Sequence, residues 1–202
     1  GLPLAVYSID AGLKVFGYDI TSEKVSKLNQ GVSPIEDVSD KTLNSSIESG
    51  LIFSDDSNSL RDCEHIVISV PTPLTDFKPD LSYVISAAQE IAKNIVKGQI
   101  IILESTTYPG TTLEVLIPEI QKISDLKPGE DIYFGYSPER IDPGNKEWNF
   151  KNTPKVISGI NDDSLSKIKS FYEKIIDTVV VVSGTKEAEM VKLLVNTYRQ
   201  VN

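Results

Sequence analysis

Cysteine and histidine are almost absent from this chain of 202 residues, which contains one of each. A single cysteine excludes a disulfide framework, and the two residues together leave no ligand set for zinc. A Ser-His-Asp or Cys-His mechanism is excluded as well, unless the one histidine serves it. The composition therefore favours a reducing, cytoplasmic setting and no resident metal.

Basic residues are also scarce, because 20 Lys and Arg stand against 29 Asp and Glu, giving a net charge of −9 and a pI near 4.7. Nucleic-acid binding needs a basic face, so nucleic acid is not expected as a partner. No apolar run is long enough to span a bilayer and no signal peptide is visible, so no membrane partner is expected. At 40% hydrophobic residues, the chain can still bury a substantial core.

Short apolar runs alternate regularly with amphipathic segments along the chain. Predicted strands cover residues 14–19, 51–54, 65–70, 99–103, 132–136, 155–159 and 178–183, and predicted helices lie between most of them. This alternation predicts an α/β fold, Rossmann-like, with a doubly wound, mostly parallel sheet. We expect one domain over residues 1–184, followed by a helix at residues 185–202 that leads into another part of the protein.

The start of the chain follows the order helix, strand, acidic residue, helix, which is the second part of a dinucleotide-binding βαβ unit. Asp19 closes the strand where a ribose 2′-hydroxyl would be held, which favours NAD over NADP, and Lys24 could reach the same ribose. The first strand and its glycine-rich turn are missing, and Gly1 would be the last glycine of that turn. Taken alone, Asp19 is also typical of a turn and Lys24 of an exposed helix face.

Polar segments lie at the ends of two later predicted strands, residues 65–70 and 99–103. Ligands of open α/β sheets bind outside the carboxyl ends of the strands, where V-P-T-P (residues 70–73) and E-S-T-T-Y-P-G-T-T (residues 104–112) lie. The simpler interpretation of the second segment is a polar loop in which Thr111 or Thr112 caps a helix. His65 lies at the opposite end of its strand and is expected to be structural.

Charged groups are concentrated in two later segments. S-P-E-R (residues 137–140) follows a predicted strand and opens a long polar loop. The last helix carries a polar stripe at three- and four-residue spacing, made of Glu189, Lys192, Asn196 and Arg199. A lysine whose pKa is lowered by burial, assisted by an amide, can accept a proton from an alcohol. Taken alone, Lys192 is more simply an exposed helix lysine.

Together these segments resemble the UDP-glucose/GDP-mannose dehydrogenase family of nucleotide-sugar 6-dehydrogenases, over essentially the whole chain. The resemblance includes E-M-V-K-L-L-V-N (residues 189–196). Within the family, S-P-I-E-D-V (residues 33–38), V-P-T-P-L, E-S-T-T-Y-P-G-T-T and S-P-E-R-I-D-P-G-N look like the UDP-N-acetylglucosamine 6-dehydrogenase group. Relatives that act on UDP-glucose usually have an aromatic residue and a second Glu where this chain has Arg140 and Pro143.

The resemblance implies a two-step oxidation of a sugar C6 alcohol to a carboxylate, with NAD as cofactor and a thioester intermediate, for surface polysaccharide synthesis. It implies catalytic roles for Thr106, which positions a water, for Glu139 as general base, and for Lys192 and Asn196 at the reacting carbon. Implied substrate contacts come from Glu139, Arg140, Lys192 and Asn196. Implied cofactor contacts come from Gly1, Asp19, Lys24, Val70, Pro71, Thr72, Ser105, Thr106 and Thr107.

Several alternatives stay open at this point. The substrate could be UDP-glucose or UDP-N-acetylmannosamine. The enzyme could instead be a 6-phosphogluconate or β-hydroxyacid dehydrogenase, since these also have Lys and Asn four residues apart on a helix. The chain could also be a non-catalytic NAD-binding module. The family's thioester cysteine and UDP-binding domain have no counterpart in these residues. The resemblance therefore implies a fragment of a longer enzyme that forms a homodimer or higher oligomer, and a fragment that is poorly stable and inactive alone.

Overall fold

The computed structural model describes residues 1–75, 78–139 and 150–201. Its helices are α1 (Leu2–Asp10), α2 (Ser22–Asn29), α3 (Asp40–Glu48), α4 (Ser82–Asn94), α5 (Ile117–Gln121), α6 (Asp162–Tyr172) and α7 (Thr185–Val201). Its strands are β1 (Phe16–Tyr18), β2 (Ile52–Ser54), β3 (His65–Ile68), β4 (Leu74–Thr75), β5 (Lys78–Pro79), β6 (Ile100–Leu103), β7 (Tyr133–Tyr136), β8 (Lys155–Gly159) and β9 (Val179–Val181). A 3₁₀ segment, Ser57–Asp62, precedes β3, and a π-helical turn, Thr112–Leu116, leads into α5.

The main sheet has the strand order β3-β6-β7-β8-β9, and every neighbouring pair in it is parallel except β7 with β8. β1 and β2 form a separate parallel pair, and β4 and β5 a small antiparallel hairpin. This arrangement confirms the predicted α/β fold with a mostly parallel sheet. Within residues 1–75, 78–139 and 150–201 no strand pairs with both β1 and β3, so the two parallel sheets are separate.

β6 explains why helices cover both faces of the main sheet. All four of its residues are buried, and their side chains alternate between the two faces. Ile101 and Leu103 pack with α4 and α5, whereas Ile100 and Ile102 pack with α6. A strand buried on both sides needs two helical layers, which is the doubly wound arrangement.

Helix α1 joins the two parallel sheets through its buried face. Leu4 packs into the cluster that contains α6, while Val6 and Ile9 pack with residues of α2, α3 and β2. None of the helices in the described ranges is long and apolar enough to cross a membrane.

Side-chain caps move some element boundaries from their predicted positions. The apolar spacing of the sequence predicts a helix over residues 164–176, but α6 begins at Asp162, because the side chain of Asn161 accepts a hydrogen bond from the Ser164 N–H at 2.9 Å. Thr111 occupies the N-cap position, as the simpler interpretation of residues 104–112 expects, but its side chain makes no capping hydrogen bond. The Thr111 hydroxyl donates instead to the Tyr108 carbonyl at 2.7 Å. The Thr112 N–H donates to the Glu189 carboxylate on α7.

Candidate active site

The loops after β3 and β6 are joined by side-chain hydrogen bonds at the carboxyl edge of the sheet. The Ser105 hydroxyl accepts from the Val70 N–H at 2.9 Å and donates to the Val70 carbonyl at 2.8 Å. The Thr72 hydroxyl donates to the Thr106 carbonyl at 2.6 Å. The two predicted cofactor segments therefore form one surface whose backbone is held by its own hydroxyls.

This arrangement assigns different tasks to the predicted residues of the two loops. Ser105 is buried and its hydroxyl is hydrogen-bonded to the Val70 backbone, so it holds the two loops together from beneath the surface that a ligand would contact. Thr107 is also buried, whereas Thr106 is half-buried and Pro71 is exposed. Thr106 is thus the hydroxyl of this group that is best placed to meet a ligand or a water.

Asp19 lies at the carboxyl end of β1, as predicted, and its carboxylate is already ordered. It accepts from the Thr21 N–H at 3.0 Å and forms an ion pair with Lys24. Burial alone would raise the pKa of Asp19, but the hydrogen bonds from Lys24 and Thr21 outweigh it and lower that pKa below its usual value. Beside Lys24 is an open pocket of about 240 Å³, lined also by Leu28, Val32 and Pro34.

The amino end of α1 offers backbone donors to an anion. Within the described residues no side chain caps this end, and the first turn contains no acidic residue. A β-carbon at Gly1 would come within 2.6 Å of the Ser69 hydroxyl, so a larger residue here would require the Ser69 side chain to move. Open donors, a glycine and the Asp19 carboxylate fit a dinucleotide, with the pyrophosphate at Gly1 and a ribose at Asp19.

Helix α7 brings Lys192 to the loop after β7. The Lys192 ammonium donates to the main-chain carbonyl of Glu139, and the side chain is half-buried. Asn196 is one turn further along and also half-buried. The structure therefore brings Lys192 and Glu139 together, while Arg140 and Pro143 lie outside the described residues.

A buried ion pair beneath this site was not predicted from the sequence. Lys155 Nζ lies 2.7 Å from Glu104 Oε1, and both side chains are at most 5% exposed. The Tyr172 hydroxyl donates to the same Glu104 oxygen at 2.6 Å, and Lys155 Nζ is 3.9 Å from Glu139 Oε2. Burial and the Glu104 charge raise the pKa of Tyr172, so its phenol stays protonated. The sequence feature that could have indicated this ion pair is a charged residue at the end of an apolar strand: Glu104 directly follows β6, and Lys155 is the first residue of β8.

The polar stripe predicted for α7 is wrong at its first member. Glu189 is fully buried, and its carboxylate accepts hydrogen bonds from the N–H groups of Gly110 and Thr112 and from the Thr112 hydroxyl. A charged side chain can be buried when several donors satisfy it, and the start of the helix after Gly110 supplies them. The side chain of Arg199 lies outside the described part of the structure.

The single histidine and cysteine lie away from this edge. His65 opens β3 and stacks on Phe171 with ring centroids 4.5 Å apart, and burial lowers its pKa. Cys63 is half-buried, and burial raises the pKa of its thiol. Among residues 1–75, 78–139 and 150–201, no three His, Cys, Asp or Glu side chains are grouped as they would be around a metal.

The chain is similar over its whole length to several known proteins. The model of the UDP-glucose/GDP-mannose dehydrogenase family, NAD-binding domain, matches residues 1–176. A UDP-N-acetyl-D-glucosamine 6-dehydrogenase of Pseudomonas aeruginosa is 38% identical, with 100% of this chain and 48% of the relative covered. A UDP-N-acetyl-D-mannosamine dehydrogenase of Pyrococcus horikoshii is 34% identical, with 100% and 49% covered.

A solved structure extends the similarity to three dimensions. The UDP-D-ManNAc dehydrogenase from Pyrococcus horikoshii superposes with a TM-score of 0.93 at 34% identity, covering 100% of this chain and 48% of that one. The chain thus spans about half the length of the relatives it matches. The family match over residues 1–176 agrees with the predicted Rossmann-like fold and with NAD as the cofactor. The chain belongs to the UDP-glucose/GDP-mannose dehydrogenase family and carries its NAD-binding domain.

Proposed function

We propose that the whole protein oxidises the C6 hydroxymethyl of a UDP-N-acetylhexosamine, UDP-N-acetylglucosamine first of all, to the uronate. The observation that carries this proposal is the contact between Lys192 and the Glu139 carbonyl. It supports the proposal because it joins the Lys192 side chain to the main chain of Glu139, in the loop that follows β7 at the carboxyl edge of the sheet, where ligands of this fold bind. We further propose that the product serves surface polysaccharide synthesis and, from the single cysteine, that the enzyme works in the cytoplasm.

Each proposed catalytic residue has a definite task in this reaction. NAD would supply the hydride acceptor for both oxidations at C6, one NAD for the alcohol and a second for the aldehyde once it is bound to the thioester cysteine. Lys192 takes the proton from the C6 hydroxyl, and Asn196 donates a hydrogen bond to the oxygen as it gains negative charge. Thr106 positions the water, and Glu139 takes a proton from it, in the later hydrolysis of a thioester. The cysteine of that thioester would come from a part of the protein beyond these residues.

The N-acetylated substrate is supported by the sequence around the site and by the relatives. Arg140 and Pro143 stand where UDP-glucose enzymes usually have an aromatic residue and a second Glu. The two relatives described above are named for UDP-N-acetylglucosamine and UDP-N-acetylmannosamine. The test is NADH formation by the full-length protein with UDP-N-acetylglucosamine, UDP-N-acetylmannosamine, UDP-N-acetylgalactosamine and UDP-glucose. We expect UDP-N-acetylglucosamine to be used best, and equal or faster turnover of UDP-glucose would overturn the substrate proposal.

Asp19 is proposed to select NAD by accepting hydrogen bonds from the adenosine ribose. Hydrogen bonds to a charged group contribute about 1.5–3 kcal/mol, so Asp19→Ala should raise the KM for NAD by about 10- to 100-fold. The KM for NADP should change less, because the substitution also removes the repulsion between the Asp19 carboxylate and the 2′-phosphate of NADP. Steady-state kinetics with both cofactors checks this. Asp55→Asn, which alters the acid that accepts from Ser22 nearby, is the matched control and should keep the preference.

Helix α7 is proposed to be the start of a central helix that follows the NAD-binding domain at residues 1–184 and pairs two copies of the protein. Its exposed face carries an apolar stripe at helical spacing, in which Leu194 is 61%, Tyr198 71% and Val201 79% exposed. Stripes of this kind usually mark a protein interface.

Leu194→Asp tests this pairing directly. A charge in the centre of an apolar interface is costly to desolvate, so we expect the full-length protein to shift from dimer to monomer. Sedimentation velocity measures the shift. Glu187→Gln, at an exposed position on the same helix, should leave the dimer intact. An unchanged dimer in Leu194→Asp would contradict the proposal.

A further inference from the structure

Glu189 is the buried acid that links α7 to the loop after β6. It has no exposed surface, and its Oε1 accepts from the Thr112 N–H at 2.8 Å and from the Thr112 hydroxyl at 2.7 Å. Its other oxygen accepts from the Gly110 N–H, 79 residues away in sequence. The carboxylate thus closes a long-range contact with three donors on one short segment.

The loop side of this contact is shaped to receive the carboxylate. Gly110 has a φ of +104°, a conformation that residues with side chains rarely adopt, and it directs the chain into the helix that starts at Thr112. The N–H groups at the start of a helix have no partner within it and favour a negative charge. An acid on α7 therefore stabilises this loop in one conformation, whereas an isolated buried carboxylate would be costly.

The same contact fixes the relative position of two parts of the active site. Lys192 is on α7 one turn after Glu189, and its ammonium reaches the Glu139 carbonyl. Thr106 is on the loop that ends at Gly110 and Thr112. A second link between the same two segments, Lys186 to Glu114 at 2.6 Å, is more than 50% exposed on both sides and is therefore expected to contribute little.

We propose that Glu189 is a positioning residue, which holds α7 against the loop after β6 so that Lys192 faces Thr106 at the distance that the chemistry requires. This inference rests on the proposed function, in which Lys192 receives the proton of the C6 hydroxyl. Small displacements of a catalytic group lower the rate strongly even when the fold persists. Glu189 acts through Lys192 and has no contact with the substrate in this role.

The test compares Glu189→Gln with Glu114→Gln in the full-length protein, using two independent readouts. The first is the rate at which an amine-directed acylating reagent modifies Lys192, measured by peptide mass and normalised to exposed Lys14. The second is kcat and the KM for NAD with the best sugar of the panel. In Glu189→Gln an amide N–H₂ cannot accept from both loop donors, so the contact loosens. We expect Lys192 to be modified about fivefold faster or more and kcat to fall about 10- to 100-fold, with the KM for NAD within about twofold.

Glu114→Gln removes the exposed link and should leave both readouts within about twofold of the unaltered protein. If Glu189→Gln does not fold, Thr112→Val removes only one of the three donors and should shift both readouts in the same direction by less. Unchanged Lys192 modification and unchanged kcat, with only a lower melting temperature, would overturn the inference. If the unaltered protein forms no NADH but Glu189 still controls the modification of Lys192, the proposed function fails and the positioning role stands.

Discussion

Lys192→Met is expected to lower kcat for NADH formation by about 10²- to 10⁴-fold, the range that general acid–base groups contribute. Methionine keeps most of the length of the lysine side chain, so it preserves packing while removing the amine that accepts the proton. It also leaves the Glu139 carbonyl without the donor that contacts it here. Initial rates with saturating NAD and sugar measure the effect.

Lys186→Met is the matched control, because this lysine is on the same helix but exposed and paired with Glu114. It should retain kcat within about twofold, since surface ion pairs contribute little. NAD binding, followed by the quenching of protein fluorescence, should be similar in both variants. A Lys192→Met enzyme with more than about a tenth of the original kcat would contradict the proposed role of Lys192 as the base.

Lys155→Met is expected to destabilise the NAD-binding domain by about 3–5 kcal/mol, because it leaves the buried Glu104 carboxylate without its cation. The Tyr172 hydroxyl would still donate to Glu104, but one neutral donor does not replace an ammonium. The free energy of unfolding, from urea titration of the full-length protein with tryptophan fluorescence, gives the loss. Because both side chains are almost fully buried, solvent screening reduces this effect only slightly.

A double substitution separates the ion pair from simple packing. Glu104→Gln with Lys155→Met removes both charges and leaves an amide oxygen to accept from Tyr172, so we expect much of the lost stability to return. The exposed pair of Lys27 and Glu23, at 61% and 77% exposure, provides a reference, and Lys27→Met should change the stability by less than about 1 kcal/mol. Equal losses in the single and double variants would show that the charges themselves contribute nothing.

The fold could be predicted from the sequence because its signals are local. A buried parallel strand such as β6 is a short apolar run, and the turns that bound it contain residues such as Gly98, with a φ of +97°. Strand ends mark the ligand edge of such a sheet, so Asp19 and the segments that contain Thr106 and Glu139 could be placed there, whereas the roles of Thr106 and Glu139 are implied by the family resemblance. Helical spacing places Lys192 and Asn196 on one face, but their proposed catalytic roles are implied by the family resemblance.

The contacts that organise the site could not be predicted, because they join residues far apart in sequence. A charge at a helix position such as Glu189 looks solvent-exposed until its three donors, 77 and 79 residues away, are brought to it. The same is true of Glu104, whose partner Tyr172 is 68 residues away. The Ser105 hydroxyl contacts the Val70 backbone in the neighbouring loop, and this long-range contact leaves no local signal in the sequence.

The most direct test of the proposed function is the number of NADH molecules formed for each UDP-N-acetylglucosamine consumed by the full-length protein. Complete conversion under limiting sugar, followed by absorbance and by identification of the product, measures it. We expect two NADH per sugar and a uronate product, with no aldehyde accumulating. One NADH per sugar with an aldehyde as product would contradict the four-electron mechanism, and no NADH with any of the four UDP-sugars would contradict the proposed enzyme activity.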